Sequence, residues 1–291
     1  MNWSKAKNIL ILAFIITNIL LVYVITENKH KENDPVTNEQ FIENVKDLLN
    51  ENNIKLATDI PKNLPSMYLL NIEYENFEPD KLAIKFLEND KYNRKSTIYY
   101  ENDKEVISVL YENDLERLEI LNKNYIKYEN HRSNKKYRDL GKEQLDLIVS
   151  NFLKEKGLYK DDYKLTYHNV INGEHTLRYT KVYNDFFVEV SHMEFKINSS
   201  GVKEFQRKWP VVGELNDAEI KIRPAPYALL RLLSKSDIYG KTITDISICY
   251  YFNPDMHSIG NIKNAKKGQA GPAWRIQFND SKGTVKFLEE Y

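Results

Sequence analysis

An apolar run from Ile9 to Ile25, ILILAFIITNILLVYVI, is interrupted only by Thr17 and Asn18. A run of this length constrains the chain more than any other feature, because it approaches the ~20 residues of a membrane-spanning helix and exceeds most buried core helices. At 1.5 Å per residue it covers roughly 26 Å of a hydrocarbon core roughly 30 Å thick. Trp3, Lys5, Lys7 and Tyr23 then fall at the two interfaces, with the lysines snorkelling. A cleaved secretory signal has a shorter apolar region ending in a small-residue site, whereas this run passes through Val22-Tyr23-Val24-Ile25 into Thr26-Glu27-Asn28-Lys29. A lipoprotein signal needs a cysteine just after the run, and the only cysteine is Cys249. A retained anchor is therefore expected. Long domains translocate largely regardless of charge, so the expected topology keeps the amino terminus in the cytoplasm and exports the rest.

The remainder is long enough for one large or two ordinary domains. Over the whole chain 42 basic residues balance 42 acidic ones, which leaves no electrostatic footprint for nucleic acid. One cysteine excludes an internal disulfide, so an exported domain must rest on its core.

Thr37-Asn38-Glu39-Gln40 reads as a capping box, followed by Phe41, Val45, Leu48 and Leu49 on one helical face that ends near 50–53. Strand-like segments follow at Met67–Tyr74, Leu82–Leu87, Ser96–Glu101 and Val106–Tyr111, an antiparallel meander. The weakly apolar, basic stretch Glu129–Arg138 is the expected boundary. Beyond it, Leu145, Ile148, Val149 and Phe152 mark a second helix stopped by Gly157. Strands are expected at Tyr163–Val170, Thr176–Tyr183, Phe186–Ile197 and Val202–Trp209, with an Asn198–Gly201 turn between the last two. Pro224 and Pro226 lead into a third helix bearing Leu229, Leu232 and Leu233, and strands at Thr242–Phe252, Ala273–Phe278 and Thr284–Leu288 close the chain. Helices separated by antiparallel runs argue an α+β class. The expected plan is a tail and spanning helix over 1–28 (about 9–25) and two exported α+β subdomains of antiparallel sheet packed with helices, 37–130 and 139–291.

Sites for chemistry are sparse. The histidines form no H-x-x-x-H or Cys-His cluster; His192 and Glu194 share one face of a strand, which a polar face in solvent explains equally well, so no metal and no cofactor are expected. Cys249 lies among apolar residues and reads as a small buried side chain. Two S-x-x-K matches, Ser4–Lys7 and Ser133–Lys136, lack the companion motifs of penicillin-recognising enzymes. The adjacent pairs Asp161-Asp162 and Glu289-Glu290 read as solvated turns and tails. No catalytic residue emerges, and the chain is expected not to be an enzyme.

The opening Met1-Asn2-Trp3-Ser4-Lys5-Ala6-Lys7-Asn8-Ile9-Leu10-Ile11, with Asn18 inside the apolar run, resembles the start of the YycI (WalI) family. Ile60-Pro61-Lys62-Asn63-Leu64-Pro65-Ser66-Met67 is similar to that family's first exported segment, and Gly271-Pro272-Ala273-Trp274-Arg275-Ile276 to its closing strand. The sibling YycH family is built from related domains, and Pro-Ala-Trp-Arg also resembles PepSY-type domains, where Trp274 would be a core residue of an edge hairpin.

The resemblance implies a non-enzymatic regulator of the YycFG (WalRK) two-component system in Gram-positive bacteria. Such a protein associates with a sensor histidine kinase of YycG/WalK type and with a YycH-like protein, and affects cell-wall homeostasis. A homodimer is left open, as are a surface-anchored enzyme acting on cell-wall material and a PepSY-like ligand-binding or inhibitory module. In this reading Trp3 and Asn18 are the partner-binding residues of the anchor. An amide in hydrocarbon is costly unless a neighbouring helix or its own helix satisfies it.

Overall fold

The computed structural model describes residues 39–87, 91–101, 103–253 and 265–291, together with Phe14, Thr17, Asn18 and Leu21. The remainder of the expected anchor, Thr37 of the capping box, His30 and His257 lie outside the described residues. Among the described residues no helix is long and apolar enough to cross a membrane.

Four described helices, α1 (Glu39–Glu51), α2 (Pro79–Phe86), α3 (Lys142–Glu155) and α4 (Ala225–Leu232), decorate fourteen strands. The strands are β1 (Lys55–Leu56), β2 (Met67–Tyr74), β3 (Asn93–Glu101), β4 (Lys104–Glu112), β5 (Glu116–Leu121), β6 (Tyr125–Asn130) and β7 (Tyr163–Ile171). They continue with β8 (Glu174–Tyr183), β9 (Phe186–Asn198), β10 (Gly201–Lys208), β11 (Pro210–Ile220), β12 (Thr242–Tyr251), β13 (Lys267–Phe278) and β14 (Val285–Leu288). The class is α+β, dominated by one connected sheet of order β11-β2-β13-β12-β9-β10-β6-β5-β4-β3, with β1, β7, β8 and β14 branching from it. Pairing is antiparallel except where β12 meets β9 and β1. Of the meander expected after the first helix, only Ser96–Glu101 and Val106–Tyr111 fall in one, β3 to β6; Met67–Tyr74 is β2, which pairs with β11 and β13 instead, and β5, β6 and β11 were not anticipated.

Two large hydrophobic cores and a small cluster of Val106, Leu121 and Tyr125 line the sheet. One gathers Val45 and Leu49 of α1, Leu229 and Leu232 of α4, and Trp274 and Ile276 of β13. The other gathers Phe86 of α2, Phe152 of α3, and Phe195 and Phe205 of β9 and β10, whose rings pack at centroid distances of 4.7–6.2 Å. The cores interleave along the chain: the first draws on residues 42–74, on Val188 of β9 and again on 222–288, the second on residues from 82 to 209. The segment at 131–141 joins β6 to α3, both of which serve the second core.

Two local readings are corrected. Leu82–Leu87 is not a strand: Leu82, Ile84 and Phe86 alternate as a strand would, yet Pro79 starts a helix that buries Leu82, Ala83 and Phe86 and leaves Ile84 65% exposed. Ile84→Lys is therefore expected to move stability by less than about 0.5 kcal/mol, and Phe86→Ala to cost about 3–5 kcal/mol, both read from urea unfolding. A strand would give Ile84→Lys a large cost. Trp274 is fully buried as expected, but not in an edge hairpin: β13 lies between β12 on one side and β2 and β14 on the other.

Gly157 does stop α3. At φ +70° it allows the Gly157 and Leu158 amides to donate to the Lys154 and Leu153 carbonyls, the double bond of a Schellman cap.

Candidate functional site

The residues singled out for chemistry are dispersed and engaged. His192 on β9 stacks on Tyr125 at 6.3 Å, and burial holds its imidazole below its ordinary pKa. Glu194, two residues on, accepts from Arg178 at 3.0 and 3.2 Å. Among the described residues no three His, Cys, Asp or Glu side chains are grouped to hold a metal. Cys249 is fully buried; burial pushes its thiol up, and Sγ donates to the Ala273 carbonyl at 3.5 Å. Ser133 and Lys136 lie between β6 and α3, where the Lys136 amide donates to the Ser199 carbonyl.

The carboxylate pairs correct the sequence reading. Glu290 is 1% exposed and accepts from Arg231 at 2.7 Å while pairing with Arg223 at 2.7 Å, so the tail is fastened rather than solvated. Asp162 accepts from Lys181 and from the Trp209 indole at 3.2 Å. Adjacency in sequence conceals these roles because the partners lie 19 to 67 residues away.

A polar seam lies where the chain leaves one core for the other, at Arg207-Lys208-Trp209-Pro210. Pairing of Pro210 with Tyr74 carries β10 directly into β11 against β2, and the Glu75 amide donates to the Trp209 carbonyl at 2.9 Å. Arg207, 1% exposed, makes a two-pronged bond to Glu75 with both distances 2.9 Å and lies over the Trp209 ring at 4.7 Å. Lys160 also reaches Glu75 at 2.9 Å. Lys208, equally buried, donates to Asn124 Oδ1 at 3.0 Å and the Ala265 carbonyl at 2.9 Å, with its ammonium 4.4 Å from the Tyr74 ring centre. The seam thus ties the β5–β6 turn, the approach to β13 and the end of β2 through the side chains of Arg207 and Lys208 and the backbone of Trp209. The Arg-Lys-Trp-Pro run was the available signal, since two charges beside a tryptophan are rarely buried without fixed partners.

Burial pulls the Lys208 ammonium down to about 7, against two acceptor oxygens and a ring that favour the charged form. The unfolded chain then holds more protons between about pH 7 and the ordinary lysine value of 10.5, so stability should rise with pH across that window. Relative to Lys208→Met, the parent should gain up to about 1.4 kcal/mol per pH unit there. Denaturant unfolding of both proteins from pH 6 to 10 checks this, and a flat difference would show the ammonium stays charged.

The surface offers a different kind of site. All of β3 but its last residue is exposed, including Ile98, Tyr99 and Tyr100, and it forms one end of the strand order. At its Asn93 end a hollow of about 630 Å³ is lined by Lys91, Tyr92, Asn113, Asp114, Leu115 and Arg132 among others. Sequence reading took β3 for an ordinary meander strand; its run of consecutive exposed apolar residues was the missed signal. Of the two anchor residues singled out, Trp3 lies outside the described residues, and the Asn18 side-chain amide donates to the Phe14 carbonyl of its own helix at 2.8 Å.

Comparison with known proteins gives one family match: the YycI protein family, over residues 32–289. No curated protein matches. Among solved structures, the chain is similar to an uncharacterized protein from Eubacterium rectale, with 11% identity, TM-score 0.49, and coverage of 85% of this chain and 94% of that one. It is also similar to the Bacillus megaterium YpeB C-terminal domain, with 11% identity, TM-score 0.40, and coverage of 72% and 96%.

Proposed function

The chain belongs to the YycI family, whose members are regulatory accessory proteins of the YycFG system, and from that premise we propose that it is a membrane-anchored, non-enzymatic modulator of a sensor histidine kinase. The single observation that carries the proposal is the family match from residue 32 to residue 289, essentially everything after the apolar run. The run Ile9–Ile25 supplies the anchor in this reading, with the amino terminus cytoplasmic and the sheet extracellular, beside the kinase's own outer region. A YycH-like protein completes the assembly.

Docking can bias a two-state kinase only by binding one state more tightly than the other. The anchor helix contributes through Asn18. An amide has two N–H donors and an acceptor oxygen, more than the bond to Phe14 uses, so it retains capacity for a neighbouring helix, worth roughly 0.5–2 kcal/mol.

The test is co-purification of the full-length chain from membranes with the YycG-type kinase and the YycH-like protein. Recovery of either is the expected result, and recovery of neither would overturn the proposal. Asn18→Leu should reduce recovery, and an unchanged yield would refute the role of that amide while leaving the wider reading intact.

A further inference from the structure

We propose that His168 and His175, side by side near the tip of the β7–β8 hairpin, form a two-imidazole clamp for a divalent transition metal ion, with Cu(II) preferred. The inference is independent of kinase binding and rests on strand register and on the distance between two ring nitrogens.

The two residues are seven apart in sequence, a spacing that no local motif marks, and folding joins them. β7 and β8 pair without a register shift from Tyr167 opposite Arg178 to Ile171 opposite Glu174. Asn172 and Gly173 close the hairpin with φ of +51° and +77°, the two positive values of a type I′ turn, which fixes that register. In it His168 faces Leu177 and His175 faces Val170, so the histidines are diagonal neighbours on one face of adjacent strands. β9 extends the same face, with Ile197 opposite His175 and Phe195 opposite Leu177. Glu174, Arg178 and Lys196 fall on the other face by alternation. The clamp therefore stands on three paired strands among apolar neighbours, with no basic side chain of those strands beside it to repel a cation.

His168 Nε2 lies 3.0 Å from His175 Nδ1. The ring planes are within 20° of each other and the centroids are 5.3 Å apart, so the rings meet edge to edge. In this contact one facing nitrogen donates and the other accepts. Moving the donor's proton to its outer nitrogen turns both facing atoms into acceptors, with no net loss of a proton. Two nitrogens 3.0 Å apart subtend about 90–97° at an ion roughly 2.0–2.1 Å from each. That is the angle between adjacent ligands of a square-planar or octahedral ion, short of the roughly 109° of tetrahedral zinc. Tetragonal nitrogen sites suit Cu(II) and Ni(II), and Cu(II) binds most tightly of the first-row divalent ions. Reaching the ion takes a tilt of each ring about its Cβ–Cγ bond, a broad torsion that the exposed His168 and half-buried His175 are free to make. The other described histidines are not placed this way: His131 lies 3.9 Å from Glu129, and His192 stacks on Tyr125. Two protein ligands leave the remaining positions of the ion to water or to a donor from another molecule.

The test titrates the full-length chain in detergent with Cu(II), Ni(II) and Zn(II) chloride, reading affinity by calorimetry and the Cu(II) ligands by electron paramagnetic resonance. Cys249, the only thiol, is buried and does not reduce the copper. The expected result is a Cu(II) site whose spectrum shows coupling to two imidazole nitrogens, with affinity falling from Cu(II) to Ni(II) to Zn(II). His168→Ala and His175→Ala should each weaken Cu(II) binding more than about tenfold, the cost of losing even a supporting partner of a ligand. The double variant should lose far less than the product of the two single losses, because the imidazoles act as one unit. Cu(II) should also raise the melting temperature of the parent and leave that of the double variant unchanged. Copper held as tightly by the double variant is adventitious and would overturn the proposal. So would a loss confined to one of the two substitutions, which means a single ligand, or Zn(II) bound more tightly than Ni(II), which means a tetrahedral site. The parent's spectrum decides the same point without any variant, since coupling to fewer than two imidazoles excludes the clamp.

Discussion

Glu75→Ala is expected to lower the unfolding free energy by about 3–5 kcal/mol, the cost of leaving a buried charge without its partner. Arg207 is 1% exposed and Glu75 supplies both oxygens of its two-pronged bond, so the substitution leaves the guanidinium against only the Trp209 ring and the Met193 sulfur. Lys160→Ala removes the other cation from the same carboxylate and should cost less than about 1 kcal/mol, since that side chain is 41% exposed and solvent screens its pair. Burial alone would push the Glu75 carboxyl up, yet the bonds from Arg207 and Lys160 hold it below its ordinary value of 4.5. A depressed carboxylate stabilises the fold above its unfolded pKa and loses that contribution as pH falls through the folded value. The gap between the parent and Glu75→Ala should accordingly narrow as pH drops below about 4.5. Urea unfolding at pH 7 and in acid measures both effects, and a cost under 1 kcal/mol at pH 7 would mean the seam is hydrated.

Trp274→Ala should be equally severe, about 3–5 kcal/mol, because it opens a cavity in a core built from elements remote in sequence. Trp274 is fully buried, and its indole N–H donates at 2.8 Å to the carbonyl of Arg223, just before α4. Arg223 is also where the carboxyl-terminal segment is fastened: its amide donates to the Glu290 carbonyl at 2.6 Å and its guanidinium pairs with the Glu290 carboxylate. Trp274→Phe should keep much of the packing and lose about 1–3 kcal/mol by leaving a buried carbonyl unpaired. Thermal unfolding of the two variants separates the terms; equal losses would mean that volume alone matters at this site.

Periodicity made much of the fold legible. The helical spacing of Leu145, Ile148, Val149 and Phe152 gave α3 and its glycine stop, and β2, β8, β9 and β12 fall within about two residues of their expected bounds. Periodicity failed at α2, where Leu82, Ile84 and Phe86 satisfy the strand repeat while Leu82, Ala83 and Phe86 satisfy the helical one, and only burial decides between them. It was also silent on β11, whose outward apolar residues are scattered among acids along a bulged edge. The seam was illegible for a different reason. Arg207 and Glu75 are 132 residues apart, and no local pattern announces a pair made by folding.

What the sequence alone determined is local in origin: the apolar run at 9–25, the alternation of amphipathic helices with strands, the α+β class, and the short motifs that point to the family. Each follows from the repeat of a helix or strand, or from residues within one turn of each other. Tertiary structure decided how 42–74 and 222–288 close one core around the ends of another, which charges are buried at the seam, and that β3 is left with a free edge. Those outcomes depend on strand order, and strand order is set by which apolar faces can be covered together, a property of the whole chain that no window of it contains.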